Sequence, residues 1–297
     1  MMSQLRPWIL AARPKTLPAA IVPVWVGSIP AMGHPNGFSW PLFTATLLSC
    51  LCIQIATNLF NDAIDSRKGA DTAERLGPVR ATAAGWLSDR AVMGGALGFC
   101  AAAAAIAIPL IQARGWPIVA IGSLSLLMAY AYTGGPVPLA YRGLGELFVI
   151  LFFGFVAVIG AWFVQTGEGP GPLQWITGLQ TGFYSSALIA INNLRDVGED
   201  GSTGKRTLAV RFGKRFARGE IAVFCFVPLG LSVIAAWLLN WGGLCLPLLL
   251  LPLAVFLAVR VAKTEPGRIF NRFLAVAALQ LLLFAVLFTI SIFLKDG

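Results

Sequence analysis

At 297 residues, 57% of them hydrophobic and 12% charged, with a mean hydropathy of +0.78, the chain carries about half the charge of a soluble domain. Its net charge of +9 would suit nucleic acid, but all of its 22 Lys and Arg except Arg114 and Lys295 lie in the N-terminal segment, in every second loop or at the helix ends beside them. That is the asymmetry of membrane topology, not of a nucleic-acid face. Metal sites built on His or Cys are excluded as well, because His34 is alone in a Gly-Pro turn and Cys50, Cys52, Cys100, Cys225 and Cys245 sit in apolar runs without metal-site spacing.

A helix needs about 20 apolar residues to cross the hydrocarbon core. By that rule the sequence predicts nine membrane helices, at residues 17–32, 41–60, 91–111, 116–132, 146–163, 175–194, 221–239, 244–261 and 273–294. The first contains Pro18, follows Pro14 and lacks a cleavage site before the next span, so it is expected to be retained and not to act as a signal peptide. No remaining segment is large enough for a soluble domain. The expectation is one all-α polytopic domain over residues 1–297, its N-terminus cytoplasmic and its C-terminus outside.

The second run ends in the polar stretch NLFNDAIDSRKGAD. Asn58, Asn61, Asp62 and Asp65 recur at i, i+3, i+4 and i+7 and share one helix face, and Gly69 is placed to end the helix so that Asp71 folds back towards it. A second cup follows the sixth run, where Asn192, Asp196 and Asp200 recur every four residues beside Asn193 and Glu199. Four spans separate the clusters, so both helices deliver their acids to the same membrane face, as in a weak parallel repeat. The competing explanation, helix capping and charge balance, suits a single Asp better than two clusters on one side. Ionisable groups at such positions are costly and need an interior or aqueous role.

Carboxylates with Asn and without His suit a hard cation, and Mg²⁺ prefers few carboxylates together with waters and phosphates. Basic residues for phosphates follow both cups: Arg67, Lys68, Arg75 and Arg80 after the first, Lys205, Arg206 and Arg211 after the second. The pattern describes a metal-diphosphate site at a membrane face.

NxxNDxxDxxxGxD continued by RLGPVR, then YTGGPVPLAYRGLGE at 132–146 and NNLRDVGEDGSTGKRTLAVRFG at 192–213, resembles the intramembrane aromatic prenyltransferases over nearly the whole chain, ARPKTLPAA near the N-terminus included. The GPVR and YTGGPVPL blocks are most similar to the branch that prenylates 1,4-dihydroxy-2-naphthoate in menaquinone biosynthesis. The resemblance implies a nine-helix fold in a bacterial-type cytoplasmic membrane, with the site facing the cytoplasm. Its substrates would be a polyprenyl diphosphate and an aromatic acid, and its cofactor Mg²⁺. Asn61, Asp65 and Asp71 would form the first metal motif, supported by Asp62 and Asn58, and Asp196 and Asp200 the second, beside Asn192 and Asn193. Gly69 stands where the hydroxybenzoate branch has the last Asp of its first motif, so Asp71 would reach from two residues later. Lys205, Arg80 and Arg206 would hold the diphosphate. Lys15 would complete that shell or snorkel to headgroups, and Arg142 or Arg80 would pair with the acceptor carboxylate, Arg142 otherwise being topogenic.

Ionising an allylic diphosphate leaves a cation that aromatic faces stabilise; Tyr132 leads the candidates Tyr130, Phe152, Phe153 and Tyr184. No protein base is obvious, so the expected work is ionisation, positioning and exclusion of water. Three alternatives stand beside this reading: another aromatic acceptor such as 4-hydroxybenzoate or homogentisate, a cation-coupled carrier, and a phosphatidyl transferase. Carriers place their sites near the midplane between inverted repeats, and the Asp-Gly and Ala-Arg elements of phosphatidyl transferases do not accompany the Asp spacing here.

Overall fold

The computed structural model describes residues 2–35, 37–69, 76, 77 and 80–294, and among them there is no strand. Helices cover every apolar run. They are α1 (Met2–Ala12), α2 (Pro18–Ser28), α3 (Trp40–Arg67), α4 (Asp89–Ile106), α5 (Ile108–Arg114), α6 (Trp116–Ala131), α7 (Gly145–Val149), α8 (Ala157–Thr166), α9 (Pro172–Arg195), α10 (Val197–Ser202), α11 (Leu208–Leu238), α12 (Leu251–Lys263) and α13 (Phe270–Phe293). A π-helical stretch, Ile150–Val156, joins α7 to α8, and a 3₁₀ run, Gly242–Leu250, leads into α12.

Local chemistry sets the starts and stops. The hydroxyls of Ser39, Ser88 and Thr207 accept from the third residue on, capping α3, α4 and α11, and Pro41 and Pro172 occupy first turns where a missing N–H costs nothing. Gly69, at φ 63°, follows the C-cap of α3 as the sequence predicts.

Six of these helices or continuous stretches are long and apolar enough to cross a membrane, and α1 with α2 adds a seventh if that pair, bent by 49°, is one span. The expected nine is therefore not reached among the described residues, for two different reasons. The 16 residues of α6 rise only about 24 Å, short of a core of about 30 Å. The 24 residues of α9 are long enough but carry Gln174, Thr177, Gln180, Thr181, Ser185 and Ser186, all buried.

That polar helix is central, packed on α2, α8, α11, α13 and the π-helical stretch. Its polar groups are spent on neighbours: Gln180 donates to the Pro228 carbonyl at 2.8 Å and the Ser232 hydroxyl at 2.9 Å, both on α11. Gly178 and Gly182 let it meet the π-helical stretch at backbone distance, since a Cβ on Gly154 would lie 2.6 Å from the Gly178 carbonyl oxygen. Small residues serve helix packing in lipid in this way. At the end of the bundle away from the acids, Arg114 donates to the carbonyls of Phe163, Val164 and Gln165, closing α8. Ser39 and Gln165 exchange two hydrogen bonds beside it.

Gly27 is the tightest of these contacts, because a Cβ there would lie 2.2 Å from the Val158 carbonyl oxygen, whereas one on Gly160 meets nothing within 4 Å. Gly27→Ala is expected to destabilise the fold by about 1–3 kcal/mol and Gly160→Ala to leave it unchanged. Thermal unfolding followed by circular dichroism in detergent checks this, and equal melting of the two would show that α2 and α8 separate freely.

Candidate active site

The polar face at the end of α3 divides into two i, i+4 pairs with different duties. Asn58 and Asp62 hold backbone. Asn58 donates to the Ala12 carbonyl at 2.9 Å and the Thr16 hydroxyl at 3.1 Å. The Asp62 carboxylate accepts from the amides of Ala81 and Thr82, each at 3.1 Å, and from the Thr82 hydroxyl. Asp62, expected as a metal ligand, is thus occupied in fixing the loop after α3. The second pair faces the site: Asn61 accepts from the Thr133 hydroxyl, and Asp65 accepts from Arg80 at 3.0 Å and from the Tyr141 hydroxyl at 2.8 Å. Asp65 and Arg80 are both under 10% exposed, so this is a buried ion pair whose halves depend on each other.

The second cluster forms where α9 gives way to α10. Arg195 grips Asp196 through two hydrogen bonds of 2.7 Å and also donates to Asn271 at 2.7 Å. Asn271 in turn donates to the Leu76 carbonyl at 3.1 Å, tying the start of α13 to the loop after α3. Asp200 is buried, with Lys205 3.4 Å from one carboxylate oxygen and no hydrogen-bond partner on the other. Burial pushes its carboxyl up to about 6, although Lys205 draws it back. Gly204, at φ 79°, supplies the turn that returns Lys205 over Asp200.

Tyr141 connects the two clusters. Its hydroxyl is on Asp65, the Lys68 ammonium lies 4.2 Å from its ring centre and the Lys205 ammonium 6.0 Å. Burial and the Asp65 carboxylate hold its phenol far above the usual value, so it remains a donor. Its carbonyl accepts from the Arg206 amide at 3.1 Å, packing the loop before α7 on the loop before α11.

The other expected residues scatter. Asn193 donates to Glu146 at 2.7 Å, and Asn192 is half-buried next to it. Lys15, Arg142 and the Arg206 side chain are exposed, and Asp71 and Arg75 lie outside the described residues. Tyr184 is in the core against Phe284, 5.2 Å between ring centres. Tyr132 sits at the edge of the site, 5.2 Å from Phe148, which stacks on Phe152 at 4.4 Å. Sequence reasoning missed Tyr141, Arg195 and Thr133. Arg13 adopts a left-handed backbone (φ 52°, ψ 69°) beside the turn held by Asn58.

An apolar groove lies next to Tyr132, whose neighbour Phe148 lines it. It runs from Thr57, Ala129 and Phe148 to Thr46, Leu110 and Val164. Between Thr46 and Thr57, α3 rises about 16 Å. Among the described residues no three His, Cys, Asp or Glu side chains converge into a metal cluster.

Residues 20–283 match the UbiA prenyltransferase family. The chain is 32% identical over 261 residues to 1,4-dihydroxy-2-naphthoate octaprenyltransferase of Haemophilus influenzae, covering 83% of this chain and 84% of that one. To the protein of the same description from Mycobacterium tuberculosis it is 34% identical over 245 residues, 80% and 81% of the two chains. The fold matches a UbiA homolog from Archaeoglobus fulgidus bound to DMAPP and Mg²⁺, with a TM-score of 0.63 at 14% identity over 95% of this chain and 99% of that one.

The Asp62 contacts yield a structural test. Asp62→Ala leaves the amides of Ala81 and Thr82 without their acceptor and is expected to cost about 1–3 kcal/mol, with faster proteolysis of the loop after α3. Unchanged melting and cleavage would show that these contacts do not hold the loop.

Proposed function

The chain belongs to the UbiA prenyltransferase family and is a prenyltransferase, and on that footing we propose that it transfers a polyprenyl group from its diphosphate to 1,4-dihydroxy-2-naphthoate, with loss of the carboxylate, to give demethylmenaquinol. The observation that carries the proposal is the meeting of Asp65 and Asp200 across Tyr141, among Arg80, Lys68 and Lys205, with an apolar groove nearby whose lining residue Phe148 touches Tyr132. A diphosphate fits the cations and a prenyl tail fits the groove. The choice of naphthoate is supported by the relatives in Haemophilus influenzae and Mycobacterium tuberculosis.

Mg²⁺ fits the acids. The unpartnered oxygen of buried Asp200 is a hard, anionic donor, and few carboxylates suit an ion that takes much of its shell from phosphates and water. Asp65, Asp196, Asp200 and Asn61 would hold it, with Asp71 added on the strength of the resemblance. When bound, Mg²⁺ supplies Lewis acidity worth several kcal/mol on the departing diphosphate.

The chain's own residues do the rest. Lys205, Lys68 and Arg80 take up diphosphate charge. The faces of Tyr132, Phe148 and Phe152 shield the allylic cation, and the groove holds the tail while excluding water. The acceptor's own hydroxyls activate its ring. The distribution of Lys and Arg supports a cytoplasmic N-terminus, acid clusters on the cytoplasmic side of a bacterial-type membrane, and nine crossings if α6 and α9 are counted.

The test uses purified protein in lipid with a polyprenyl diphosphate and dihydroxynaphthoate, read by mass spectrometry with Mg²⁺ and then with chelator. A prenylated, decarboxylated product is expected only with metal. Product only from another aromatic acid would replace the acceptor. Asp65→Ala and Asp196→Ala should abolish turnover in protein that still inserts. Tyr141→Phe, which keeps the ring and removes the hydrogen bond to Asp65, should lower activity about 10- to 100-fold, the range for partners that orient ligands.

A further inference from the structure

The described acids of the site each carry a cation of their own, but the pairs differ in tenure. Arg195 holds Asp196 with two short bonds and is itself anchored to Asn271, so it is fixed. Arg80 is buried on Asp65. Lys205 is the loose one. Its ammonium reaches Asp200 at 3.4 Å, its side chain is 22% exposed, and it lies 6.0 Å from the centre of the Tyr141 ring, on which the Lys68 ammonium sits at 4.2 Å. The oxygen of Asp200 that Lys205 does not touch is buried and unpartnered.

Resting on the prenyltransferase reading above, we infer that Lys205 couples the two ligands of this site: a divalent ion must displace it from Asp200, and a diphosphate gives it somewhere to go. A lone metal ion meets an Asp200 already neutralised and an ammonium it repels. With a diphosphate present, the same ammonium turns to the phosphate oxygens, and the carboxylate is released to the metal. Metal and diphosphate therefore bind with positive cooperativity, and by linkage each raises the affinity of the other by the same factor.

The experiment measures binding, not turnover. Protein in lipid nanodiscs is titrated with Mn²⁺, standing in for Mg²⁺, and followed by electron paramagnetic resonance, alone and with a saturating prenyl thiolodiphosphate that resists ionisation. The wild type should bind Mn²⁺ at least about fivefold more tightly with the analogue, the lower end of ordinary coupling. Lys205→Gln should draw the curves together from both sides, tightening the metal alone and weakening it with the analogue. Lys214→Gln, which removes a charge from the exposed pair with Glu265, should change neither. Lys205→Gln that leaves metal-alone binding unchanged, or weakens both conditions equally with an unaltered melting curve, overturns the coupling. Saturable Mn²⁺ binding to the wild type that ignores the analogue overturns it too but leaves the metal site standing. No Mn²⁺ binding in either condition removes the metal site itself.

Discussion

Charge has no place in hydrocarbon unless it is paired or wetted, and the arrangement of this chain answers to that constraint. The acids of both clusters gather at helix ends, and the groups that link them lie in the loops after α3, before α7 and before α11. The pairing is done by the protein itself: Arg80 on Asp65, Arg195 on Asp196, Lys205 on Asp200. A buried pair of this kind does little for net stability, because desolvation offsets the attraction, but it fixes where each partner stands.

The same constraint explains why the most polar helix is also the most enclosed. Without a hydrophobic drive between helices in lipid, close packing and interhelical hydrogen bonds carry association. The glycines of α9 allow the first and Gln180 provides the second. The central helix then presents Asp196 at its C-terminal end, with Asp200 on α10 just beyond it.

Much of this was legible in sequence, and what was not has physical causes. Hydropathy located the helices of the apolar runs, because burial in lipid leaves such runs, but not α1 or the polar α10. It did not reveal that α9 spends its polarity inside the bundle, since it averages over faces. Helical periodicity placed Asn58, Asn61, Asp62 and Asp65 on one side, but a stripe one residue wider than expected separated scaffold from site: Asn58 and Asp62 serve backbone, Asn61 and Asp65 the interior. Tyr141 was hidden by proximity to Tyr132 in the same motif, and Arg195 by resembling one more topogenic charge. Neither role can be read from spacing alone, because each depends on a partner that is distant in sequence or on a side chain folding back on its neighbour.

The bond from Asn271 to the Leu76 carbonyl spans 195 positions of sequence. A chain that enters the membrane from its N-terminus makes Leu76 early and Asn271 late, after the long-range partners of almost everything between them are in place. Until then Arg195 lacks its anchor and the loop beyond α3 lacks its tie. The head of the site is therefore completed by α13, and a chain truncated before it, however well inserted, has the acids without the frame that aims them.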